Sequence, residues 1–90
     1  MKEITLRCQD KLLVVRKFSD KRHKLTALFD VGGYADVDLE DVDWVIGNLE
    51  MCLSSNENVF KIGFFKQNNL IHFDFTKNDI EILLNFLKQK

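Results

Sequence analysis

The chain has 90 residues, with 13 Lys and Arg against 14 Asp and Glu, and a formal charge of −1. Its hydrophobic content of 46 % excludes a disordered segment, which combines few apolar residues with high net charge. A chain of this length makes one domain and buries roughly 60–65 % of its surface, so surface functions are favoured over a deep catalytic cleft.

Two strands, residues 4–8 and 12–18, alternate around a turn at Gln9-Asp10, and a third, residues 25–29, follows a loop over 19–23. Ile4, Leu6, Leu13, Val15, Leu25, Ala27 and Phe29 then share one face. Residues 12–15 are apolar on both faces, the mark of a central strand, and Gly32-Gly33 ends this meander. A helix is expected over residues 38–53, because Val42, Val45, Ile46, Leu49, Cys52 and Leu53 form one stripe. Asp38 is its N-cap in this reading, with Glu40 and Asp41 in the first turn.

Residues 59–65 and 70–75 alternate around a turn at 66–69, which pairs Phe60 with Phe75, Ile62 with Phe73 and Phe64 with Ile71. On the other side Lys61 meets Asp74, Gly63 meets His72 and Phe65 meets Leu70. Thr76 and Asp79 resemble a capping box for a second helix from Lys77 or Asn78 to the end, with Ile80, Leu83, Leu84 and Leu87 as its stripe. The expected fold is therefore α+β, a two-layer sandwich in the order βββαββα. One five-stranded, mostly antiparallel sheet carries both helices on a single face.

The net charge conceals a polarised chain. Residues 1–24 carry +5, residues 25–57 carry −8 with no basic side chain, and residues 58–90 carry +2. No apolar run reaches the roughly 18 residues of a membrane helix, and residues 1–5 lack the apolar stretch of a signal peptide. Cys8 and Cys52 both fall at core-facing positions, which suits a reduced pair in the cytoplasm and gives neither a disulfide framework nor a zinc site.

Three surfaces need explaining beyond the fold. The acidic segment Asp36, Asp38, Glu40, Asp41 and Asp43, with Trp44 and Met51 off the helix's core stripe, reads as a surface that docks on a basic protein partner. Its alternatives are helix capping with a solvated acidic face, or cover of Trp44 and Met51 by Ile82 and Phe86 of the second helix. Asp36, Asp38 and Glu40 have calcium-loop spacing, but the loop glycine is missing, so no metal is expected. Next, Arg7, Arg16, Lys17, Lys21, Arg22 and Lys24 are the residues that would hold nucleic acid, a reading weakened by the scarcity of Arg and of sheet aromatics. Finally, the outer sheet face mixes Leu12, Val14, Phe18, Leu28, Phe65 and Leu70 with basic side chains, which invites a homodimer partner or cover by flat-lying charged chains.

Chemistry is poorly supported. His72 and Asp74 share a face, but no nucleophile stands beside them in sequence, and Gly32-Gly33-Tyr34 lacks the spacing of a phosphate loop. The sequence thus points to a small, cofactor-free binding module of the inhibitor, immunity or adaptor kind, with no catalytic residue and no membrane contact.

Overall fold

The structure, a computed structural model, describes residues 2–39, 41–66 and 68–89, Lys66 by its backbone alone. Eight elements follow in chain order: β1 (Lys2–Cys8), β2 (Lys11–Ser19), β3 (Arg22–Phe29), β4 (Tyr34–Leu39), α1 (Val42–Leu53), β5 (Val59–Lys66), β6 (Asn69–Thr76) and α2 (Lys77–Lys88). The α+β class holds. The single five-stranded sheet does not: β1-β2-β3-β4 form one antiparallel sheet, and β5-β6 form a second.

The strand that sequence reading lacks is β4. Gly32 and Gly33 take φ of +108° and +88°, which an L side chain rarely adopts, so the chain reverses there and the meander continues. The Phe29 amide donates to the Gly33 carbonyl at 3.1 Å, closing the turn. Ala35, Val37 and Leu39 then face the core while Tyr34, Asp36 and Asp38 face out, in register with Ala27, Leu25, His23 and their neighbours on β3. Helix α1 accordingly starts at Val42 and not near Asp38. Its N-cap is Asp41, whose Oδ1 accepts from the Trp44 amide at 3.0 Å.

The hairpin β5–β6 has the register expected from its alternation, Phe60 opposite Phe75 through Phe65 opposite Leu70. The turn residue Gln67 lies outside the described residues. Helix α2 begins with the expected capping box: the Asp79 amide donates to Thr76 Oγ1 at 3.2 Å, and the Thr76 amide donates to Asp79 Oδ2 at 3.1 Å.

One core joins all of this. The inner face of the large sheet supplies Leu6, Leu13, Val15, Leu25, Ala27 and Val37; the hairpin supplies Phe60, Phe64, Phe73 and Phe75. Val45 and Leu49 come from α1, and Ile80, Leu83, Leu84, Phe86 and Leu87 from α2. Helix α2 packs on α1, β6 and β1, while β5 runs beside β4 and β6 beside β1 without ladder hydrogen bonds. The hairpin is thus attached by side-chain burial rather than by backbone pairing. Among the described residues no helix is long and apolar enough to cross a membrane.

Candidate functional site

The structure divides the acidic segment between two surfaces. Asp36 and Asp38 belong to the outer face of the large sheet. Asp36 accepts from Thr26 Oγ1 at 2.5 Å, and Asp38 stands opposite Lys24 in the ladder. This strand geometry also separates them from any calcium loop, and among the described residues no group of three or more His, Cys, Asp or Glu is arranged to hold a metal. Glu40 lies outside the described residues. Asp41 caps α1, and Asp43 is exposed in its first turn.

Trp44 and Met51 remain, and they are not covered by α2. Trp44 is 65 % exposed and Met51 72 % exposed, seven residues apart on one stripe of α1. Asn48 lies between them and donates from Nδ2 to the Trp44 carbonyl at 2.8 Å. Phe86 is instead buried beneath the large sheet, edge-on to His23 with ring centroids 6.4 Å apart. Trp44, Asn48 and Met51 form one wall of an open groove of about 470 Å³ whose opposite wall is β5, from Phe60 to Phe64. The groove is mainly apolar. Its charged lining residues are Glu57 and Lys61, and Lys61 stands opposite Asp74 in the hairpin ladder.

The basic set is dispersed. Arg7 grips both oxygens of Asp30, one at 2.9 Å, which raises its already high pKa. Arg16 donates to Glu3 at 2.8 Å. Arg22 lies over the Phe18 ring at 5.3 Å, and Lys21 sits at the β2–β3 turn beside the start of α1. Lys17 is only 8 % exposed and points inward, its amine donating to the Gln89 carbonyl and standing 3.4 Å from Asp20. These six side chains therefore do not share one free face.

The outer face of the large sheet explains part of its own apolar content. Val14 and Thr26 are buried at its centre under flanking side chains, with Glu3, Arg16, Lys24 and Asp38 along one rung. Leu28 and Tyr34 stay exposed on the Arg7 rung. His72 is exposed opposite Gly63, and no hydrogen bond joins it to another side chain among the described residues.

Two features escaped the sequence reading. His23 belongs to β3, not to a loop, and is 1 % exposed with neither ring nitrogen hydrogen-bonded. The parity of Leu25 and Ala27 already places residue 23 inward, as the parity of Leu13 and Val15 places Lys17. The groove itself had no such signal, because it depends on where α1 and β5 lie in space. Comparison with protein-family models, curated proteins and solved structures returned no match for the chain.

Proposed function

We propose that the protein is a non-catalytic protein-binding module, of the inhibitor, immunity or adaptor kind, whose partner docks on α1 and the groove beside it. The observation that carries this reading is the pair Trp44 and Met51, exposed on one helical stripe and rimming an apolar groove. Large aromatic and Met side chains are enriched at the anchored centres of interfaces. The partner is basic in this reading, because α1 exposes Asp43 and Glu50 on one flank and contains no Lys or Arg. The proposal sets the domain in the cytoplasm, which suits its two free cysteines.

A photoreactive residue at position 51 tests the reading in native lysate. It is expected to link one basic protein in stoichiometric yield, with linkage lost in Trp44→Ala and weakened in Asp43→Lys. Equal linkage by Trp44→Ala would count against it. Asp41→Lys is unsuitable as a probe, since it removes the helix cap along with the charge.

A second reading, a homodimer through the outer face of the large sheet, draws on exposed Leu28 and Tyr34. The mass in solution tests it. A monomer at high concentration would rule it out, and a dimer dispersed by Tyr34→Lys would support it. Nucleic-acid binding is less favoured than either, given the dispersed basic residues.

A further inference from the structure

We infer that the end of α2, Phe86 to Gln89, is an acid-sensitive latch: when His23 takes up a proton, this turn lifts from the large sheet while the sheet stays paired. The inference does not depend on the docking reading above. His23 lies on the inner face of β3 at 1 % exposure, and neither ring nitrogen has a hydrogen-bond partner among the described residues. Its neighbours come from three elements and a turn. β2 sets Lys17 opposite it in the ladder, and β4 sets Leu39 opposite it on the other side. α2 lays the Phe86 ring edge-on to it. The β2–β3 turn brings Asp20, and Lys17 and Asp20 are the charged groups that act on the ring among the described residues. The other charges at this end of the molecule are turned elsewhere. Lys88 reaches Glu50 at 3.4 Å, and Lys21, Asp41 and Asp43 line an open cleft of about 600 Å³ together with Leu87, Lys88 and Gln89.

A buried charge is stable only with a partner, and the His23 site offers an imidazolium none. The proton sets a second cation beside the Lys17 amine, which is itself buried. Asp20 gives little relief: its side chain is 79 % exposed and already stands 3.4 Å from Lys17. Water must therefore reach the ring, and the surrounding elements differ in how readily they yield. β3 is paired on both sides, to β2 and to β4. The turn of α2 is held to the sheet by Phe86, by Leu87 and by the Lys17 amine donating to the Gln89 carbonyl. Leu87 to Gln89 already border the open cleft. Helix ends of this kind open at a far lower free energy than central strands. Opening exposes Phe86, hydrates His23 and separates Lys88 from Glu50, so that acid also alters the charge on α1.

Residue-resolved amide exchange on the full chain, corrected for intrinsic rates and compared between about pH 7.5 and about pH 5, tests the latch. Protection of the Leu87, Lys88 and Gln89 amides is expected to fall by about ten-fold on acidification, while β2 and β3 keep theirs. In the chain labelled with fluorophenylalanine, the Phe86 signal, assigned through Phe86→Leu, is expected to move toward its solvent-exposed position. It should do so over the same pH range in which the His23 ring titrates, with His72→Gln separating the two histidines. His23→Leu is expected to abolish both changes. Asp20→Asn, which removes the carboxylate opposing Lys17, is expected to deepen the acid loss of protection, and it serves if His23→Leu does not fold. Equal loss of protection in β2, β3 and α2 would make acid act on the whole fold and overturn the latch. So would a Phe86 signal that stays put while His23 titrates, or a fall in α2 protection that persists in His23→Leu.

Discussion

His23 is a titratable residue held inside the core face of β3. Its ring is buried, neither nitrogen has a hydrogen-bond partner among the described residues, and it stands opposite Lys17 in the ladder. Burial lowers its pKa first, the Lys17 charge adds to this, and Asp20 opposes it in part. The unfolded chain therefore takes up a proton near pH 6.5 while the folded one resists. Between the folded value and 6.5 the unfolded state binds more protons, so stability rises with pH across that window, and His23 adds nothing further above it. Urea unfolding at stepped pH should give a flatter profile for His23→Leu than for the native chain; parallel profiles would exclude His23 as the source. The cysteines differ in the same terms. Burial pushes the Cys8 thiol up to about 11, whereas Cys52 is raised and only half-buried. Under native conditions a thiol reagent should modify Cys52 first and reach Cys8 only on unfolding, as peptide mapping of the labelled chain would read out.

At the scale of elements, the start of α1 decides what the acidic residues do. Asp41→Ala should cost about 0.5–2 kcal/mol, the ordinary loss of an N-cap, whereas Asp38→Ala should stay within about 0.5 kcal/mol on an exposed strand position. Urea midpoints of the two variants check this, and equal losses would contradict the cap. The comparison also shows why sequence alone misled here. Asp38 and Asp41 have the same chemistry, and either can cap a helix. The deciding signal is the alternation of Ala35, Val37 and Leu39, which is short and runs directly into the helical stripe from Val42. The β5–β6 register was legible because a one-residue slip would move charge onto the Phe60/Phe73/Phe75 face. The division into two sheets was not legible. Periodicity states which face of a strand is buried but not which distant strand lies beside it. Trp44 was visibly off its stripe in sequence, but whether α2 reached it depended on Phe86 turning to the large sheet instead.

For the whole molecule, the shared core sets how it unfolds. An isolated hairpin is marginal in water, and β5–β6 has no ladder to the large sheet, so its order depends on Phe73, Phe75 and α2. Amides of the hairpin and of β2–β3 should therefore lose protection in one global transition, seen by native-state hydrogen exchange against denaturant. Earlier opening of the hairpin would show the two sheets to be separate cooperative units. The lack of a ladder between β5 and β4 has a consequence of a different kind, for behaviour in concentrated solution. Val59 to Phe65 is a β-prone run with exposed Phe65, and Lys61 is its one charge. Such runs template fibrils when uncovered, and a single flanking or interrupting lysine is a common protection. Lys61→Ile should leave the fold intact yet shorten the lag before light scattering rises on storage. Lys61 is thus the residue expected to hold off self-assembly, which would begin at this unpaired strand.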